Sequence, residues 1–167
     1  MSGIDIASDF DGVDPDDIAD MFRDFSDALN DELESAAVDI GARIEGAAKR
    51  NIQQEGAVDH GQLLNSIEFQ TQQIGEKVIR VMVGTNVQHG AVVEKGADPF
   101  FPPPDALEGW AGRVLGDEDL AFVVARSISE TGFDPRPYLE PAFEENEDWA
   151  IERVQEAIMN ARDEAFP

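Results

Sequence analysis

Asp9, Asp11, Gly12 and Asp14 are the first residues in the chain that could do chemistry, because Asp-x-Asp spacing delivers carboxylate oxygens to a single hard cation. The register falls short of a calcium loop. That loop needs acceptors at positions 1, 3 and 5, glycine at 6 and glutamate at 12, and no starting point here meets all of these. An acidic leader over residues 1–13, with Asp14 capping a helix, accounts for the same residues. His60 and His89 are the only histidines, and neither has a second ligand three or four positions away. Ser66 and Ser127 lie in ordinary periodic stretches without the Gly-x-Ser-x-Gly turn that would present a nucleophile. Val83-Gly84-Thr85 offers one glycine where a phosphate loop needs Gly-x-x-x-x-Gly-Lys. With 36 Asp and Glu in 167 residues, some adjacent carboxylate pair arises by chance. The absence of cysteine removes disulfides, thiolate ligands and cysteine nucleophiles together. No catalytic residue, cofactor or metal site is therefore expected, and the chain does not read as an enzyme.

The charge is the stronger signal. Twelve Lys and Arg, only three of them Lys, leave a net charge of −24, yet 42% of the chain is apolar. A disordered polyanion would be poor in apolar residues, so the charge belongs to the surface of a folded core. Binding nucleic acid by counterion release needs a basic face, and the longest basic run is Lys49-Arg50. Sequence-specific nucleic-acid binding is not expected. A DNA mimic would gather its carboxylates on one face, whereas here they recur from Asp5 to Glu164. Even acidity with arginine favoured over lysine fits a cytoplasm at molar salt, where the Debye length is about 3 Å or less and self-repulsion is screened. The first residues show no basic stretch followed by an apolar run, and no apolar run approaches ~18 residues, so neither a secretion signal nor a membrane span is expected.

The elements that would carry these residues are an α+β set, expected as a leader over 1–13 and one domain over 14–167. Asp14, Pro15 and Asp16-Asp17 start a helix, and Ile18, Phe22, Phe25, Leu29, Leu33, Ile40 and Ile44 keep one apolar stripe going to about Ile52. Such a helix is roughly 55 Å long, longer than the ~40 Å diameter of a compact chain of this size. It must overhang its domain, or bend at Gly41 or Gly46. Leu64 to Thr71 and Lys77 to Val83 read as two strands of an antiparallel hairpin turning at Ile74-Gly75-Glu76. Ala91 to Glu94 form a short apolar element ended by Gly96. Two short helices follow, one capped by Asp105 and running through Leu115, the other capped by Asp117 or Asp119 and closed by Gly132. Pro135 to Leu139 read as an extended edge strand with Leu139 turned inward, and Pro141 opens a C-terminal helix packed on the sheet.

Three stretches, in order, resemble a known family. His60-Gly61-Gln62-Leu63-Leu64-Asn65-Ser66-Ile67 resembles the threonine-glycine-x-leucine-x-x-serine-isoleucine entry to the first strand in the head–tail joining or tail-completion proteins of long-tailed phages. Val81-Met82-Val83-Gly84-Thr85 with Ala91-Val92-Val93-Glu94-Lys95-Gly96 resembles that family's valine-glycine-threonine strand end and its glutamate-x-glycine turn. Gly132 to Phe143 resembles its proline-x-proline-phenylalanine-leucine-x-proline-alanine segment. His60 stands where threonine is usual and Gly90 where an aromatic is usual.

The resemblance implies a non-enzymatic virion neck component: a homo-oligomeric ring, hexamer or dodecamer, assembled in the host cytoplasm. It would sit between the head-side connector and the tail-tube or tail-terminator protein, with DNA passing through its lumen. A head-closure or tail-terminator ring protein is the nearest alternative, and a small acidic enzyme or a DNA mimic are alternatives of other classes. Trp110, Tyr138 and the Phe100-Phe101 pair are candidate contact residues, since aromatics are enriched in interface cores; domain core is the competing reading for Trp110 and Tyr138.

Overall fold

A computed structural model describes residues 14–54, 61–87 and 89–166. The expected leader over 1–13, with Asp9, Asp11 and Gly12, and His60 lie outside the described residues. Pro15–Gln54 form α1, a 40-residue helix about 60 Å long. Asp14 starts it as expected: its Oδ1 accepts the Asp16 N–H at 3.0 Å and its carbonyl accepts the Ile18 N–H at 3.2 Å. The helix does not break at either glycine. A Cβ on Gly41 would lie 2.3 Å from Phe69 Cδ2, so the missing side chain admits a ring from the sheet.

Gly61, at φ +67, turns the chain into α2 (Gln62–Ser66), a single turn closed by Ser66 Oγ donating to the Leu63 carbonyl at 2.8 Å. Leu64 and Ser66 therefore belong to a helical turn, correcting the expected strand start. The local i−3 bond and an αL entry favour the turn over extension. β1 (Ile67–Gly75) and β2 (Val78–Thr85) then form a two-stranded antiparallel hairpin, pairing Phe69 with Val83 and Thr71 with Val81. The hairpin lies along α1. The Phe69 N–H donates to Glu45 Oε2 at 3.0 Å, and at the turn Lys77 Nζ donates to the Ser26 carbonyl at 2.8 Å.

Ala91 to Glu94 are helical, within α3 (His89–Lys95), which stops at Gly96 with φ +71. α4 (Asp105–Val114) starts at the residue expected to cap it: the cap position falls one residue earlier, on Pro104, and Asp105 lies in the first turn. Asp117 does cap, accepting the Asp119 N–H at 3.0 Å ahead of a 3-10 turn at Glu118–Leu120. α5 (Ala121–Thr131) ends at Gly132 as expected.

The expected edge strand over residues 135–139 is absent. Residues 134–137 are irregular, and only Ala97 and Phe133 form an isolated bridge. Pro135 and Pro137 remove alternate donors, and the intervening Arg136 N–H bonds the Val93 carbonyl of α3, at 2.8 Å, rather than a strand. Tyr138, at 1% exposure, is the buried residue; Leu139 is half-buried and begins α6 (Leu139–Glu144). Pro141 therefore sits inside the first turn of α6 instead of opening the last helix, which is α7 (Glu147–Ala165).

α7 packs antiparallel along α1 rather than on the sheet. Arg153 Nε donates to Asp39 Oδ2 at 2.9 Å, Asn160 Nδ2 to Glu32 Oε2 at 3.3 Å, and Phe166 stands 5.9 Å from the Phe25 ring and 6.2 Å from Phe22. Ala36, Ala37, Ala157 and Ala161 are all buried, small residues that let two helix backbones close together. With α7 reaching Phe22, the overhang of α1 is confined to the turns before it. The main core gathers Ile44, Ala48 and Ile52 of α1, Leu63, Ile67, Tyr138 and Ala142.

Candidate assembly interface

The three sequence stretches meet at one junction. Ser66 Oγ and Thr85 Oγ1 lie 2.5 Å apart, tying the start of β1 to the end of β2, and Thr85 Oγ1 accepts the Val87 N–H at 3.1 Å. Ser66 is thus a structural hydroxyl. Glu94 performs the second tie: its Oε2 accepts the N–H groups of Tyr138 at 2.8 Å and Leu139 at 2.9 Å, and its Oε1 that of Glu140 at 2.9 Å. These are orphan donors at the start of α6, and a carboxylate borrowed from 44 to 46 residues upstream replaces the local cap that Tyr138 cannot provide. Gly96 is needed beside it, because a Cβ there would lie 2.5 Å from the Phe133 carbonyl oxygen at a φ of +71. Ala97 and Phe133 exchange two hydrogen bonds of 2.9 Å.

Tyr138 plugs this junction. Its hydroxyl donates to the Gly90 carbonyl at 3.4 Å. A Cβ on Gly90 would be 3.1 Å from that hydroxyl and 2.5 Å from Thr85 Cγ2, which leaves no room for a side chain at 90. Burial first, and the Glu94 charge second, push the phenol up to about 12. Sequence reasoning gave Glu94 no role; a lone acid two residues before a glycine carries no local sign of the amides it will meet.

The other candidates are scattered. His89 is exposed at the first residue of α3, beside a cavity of ≈ 460 Å³ that also takes Leu63, Phe100 and half-buried Trp110. Ser127 is exposed on α5, where its backbone carbonyl accepts the Thr131 hydroxyl at 3.0 Å. Lys49 is engaged with Glu45 at 2.6 Å. Phe101 stacks edge-on to Phe122 at 6.1 Å, yet Phe100 and Phe101 remain about half exposed. Of the four aromatic contact candidates, Tyr138 is withdrawn into the core. Among the described residues, no group of three or more His, Asp or Glu is placed to hold a metal, and no helix is long and apolar enough to cross a membrane.

A second feature has no counterpart in the sequence reading. An apolar groove of ≈ 670 Å³ runs between α1, β2 and the α6–α7 corner, lined by Ile40, Ile44, Val81, Phe143, Ile151 and Val154, with Glu144 and Glu147 at its rim. The corner is set by Asn146, which is 5% exposed: its Oδ1 accepts from Arg43 Nε at 2.7 Å and its Nδ2 donates to the Ala142 carbonyl at 2.8 Å. The Arg43 guanidinium lies 4.2 Å over the Trp149 ring, a cation–π contact that pins α7 to α1.

With junction and groove in place, comparison with known proteins finds a similarity to a phage tail-component family that covers just under half of the chain. The matching family model is HK97-gp10_like, described as "Bacteriophage HK97-gp10, putative tail-component", and it takes in residues 16–96. Those residues take in α1, α2, the hairpin and α3, with the first two of the three stretches; the third is docked onto them by Glu94. No curated protein and no solved structure matches the chain.

Proposed function

We propose that this chain is the subunit of a ring in the neck of a tailed virus, a tail-completion or head–tail joining protein of six or twelve copies. The ring seats between the head-side connector and the tail tube or tail-terminator protein and leaves an axial passage for DNA. The observation that carries this reading is the match of residues 16–96 to a tail-component family. The net charge of −24 supports the passage, because a wall of like charge removes the counterion-release term that makes DNA stick. The same charge, with arginine favoured over lysine, suits assembly in a host cytoplasm at molar salt. The role is one of assembly and involves no catalysis. Negative-stain electron microscopy of the purified protein in molar KCl, added separately to heads and to tail tubes, is expected to show annular particles that cap one of them. A protein that sediments as a monomer at every salt concentration, and binds neither, overturns the proposal.

A further inference from the structure

The acidic shell is interrupted between Glu68 and Glu94. Glu76 is the sole carboxylate among the 25 residues from 69 to 93, against 36 in the 167 of the chain. This acid-poor stretch is the hairpin and its exit. Phe69 packs on Gly41 of α1, so strand alternation turns Thr71, Val81 and Val83 to the same side and puts Val78, Arg80 and Met82 on the outer face. Val78 is 50% and Met82 41% exposed. Arg80, exposed between them, makes no ion pair among the described residues. The β2 edge of the outer face thus reads apolar, cationic, apolar, beside Gln70 and Gln72 of β1.

The α1–α7 groove is its complement in charge. Its floor and walls are apolar, and the exposed carboxylates of Glu144 and Glu147 stand at its rim without cationic partners among the described residues. Besides those two its polar lining is Gln155 and Asn146, and both ends of the Asn146 amide are already bonded to Arg43 and Ala142, so it offers few of the convergent polar groups that orient a small ligand. Another exposed apolar patch on the chain, Phe122 and Val123 at 57% and 58%, is flanked by Arg126, whose guanidinium is already paired with Glu130 at 2.9 Å, so it brings a neutralised pair rather than an open cation to the same rim.

We propose that the outer hairpin face of one copy seats in the α1–α7 groove of a second copy, Val78 and Met82 entering the groove and Arg80 facing Glu144 and Glu147. This rests on the ring-subunit reading and supplies its contact. Hairpin face and groove are different patches of one chain, so the contact is heterologous: every copy keeps a free hairpin and a free groove, and the repeat closes into a ring if the rotation closes.

The natural chain has no cysteine, so single introduced thiols report without background. Chains carrying Met82→Cys are mixed with differently tagged chains carrying Ile151→Cys in molar KCl and treated with a short bis-maleimide. A covalent heterodimer is expected, and none when Phe122→Cys replaces Ile151→Cys. At moderate salt, where charges are less screened, Arg80→Glu and Glu147→Arg are each expected to weaken association about tenfold. The double variant should recover most of that loss, with circular dichroism unchanged throughout. Annular particles that form with no 82–151 cross-link, or that survive Arg80→Glu unaltered, or that cross-link 82 to 122, overturn this contact and leave the ring reading standing. A protein monomeric at every salt overturns both.

Discussion

Removing the Glu94 carboxylate is expected to loosen the whole C-terminal third of the fold. The carboxylate takes three backbone donors, at 2.8, 2.9 and 2.9 Å, and a hydrogen bond to a charged group contributes roughly 1.5–3 kcal/mol net. Glu140 is exposed, so its amide turns to water at little cost when the acceptor goes. The Tyr138 and Leu139 amides sit against the core and are left without an acceptor. Two such bonds, taken at the lower end because Glu94 is itself half-exposed, give about 2–4 kcal/mol for Glu94→Ala, a large part of a typical stability of 5–15 kcal/mol. Glu94→Gln keeps one carbonyl acceptor for those same two amides and loses the charge, so about 1 kcal/mol is expected. Urea unfolding in molar KCl, followed by far-UV circular dichroism, reads both as shifts of the midpoint at unchanged slope. If Ala and Gln both fall within about 0.5 kcal/mol of the parent, the borrowed cap holds nothing. If Gln loses as much as Ala, it is the charge and not the acceptor geometry that matters.

The two glycines of α1 should answer oppositely to alanine: Gly41→Ala drives a methyl into Phe69 and is expected to destabilise by about 1 kcal/mol or more after helix propensity is counted. Gly46→Ala meets only the Arg50 guanidinium end at 3.4 Å and should gain up to about 1 kcal/mol; equal gains at both would refute the close approach of the ring. Tyr138 is the only tyrosine, so ultraviolet titration reads it alone, and in the folded protein its ionisation should stand at about 12 rather than 10.0. Because the folded value is the higher, its contribution is complete below pH about 10 and is lost as the pH rises towards about 12; ionisation near 10 with the fold intact would show the phenol solvated. The melting temperature should rise with KCl as the charge of −24 is screened, and a flat profile would remove the high-salt reading.

The helices and the hairpin were legible where the pattern is local. Asp14-Pro15-Asp16-Asp17 and the apolar spacing to Ile52 set α1, and Gly132 closed α5, because caps and periodicity are properties of neighbouring residues. Leu64 and Ser66 were misread because the Ser66 hydroxyl bonding back to Leu63 is invisible in an apolar count. Pro135 to Leu139 were misread for a different reason: their course is decided by Val93, Glu94 and Ala97, some 40 residues earlier, so alternation within the segment carries no information about it. The groove and the outer hairpin face were legible least of all. The groove is made by α1, β2 and α7 together, and the acid-poor run from 69 to 93 gains meaning only once its outer face is known.

The pairing of α1 with α7 has a consequence for synthesis. Arg153 finds Asp39 across 114 positions and Asn160 finds Glu32 across 128, so the alanine seam of α1 stays uncovered until the last helix leaves the ribosome. At about 5–20 residues per second that is an interval of several seconds to tens of seconds, during which the hairpin can already close on itself in microseconds. Nascent chains on one polysome would carry open seams side by side, a setting that favours premature association. Residues 1–13 and the first half of α1 are rich in Asp and Glu, and like charge there opposes contact between neighbouring nascent chains. The acidity of the finished surface is thus also expected to oppose contact across the open seam until α7 arrives to cover it.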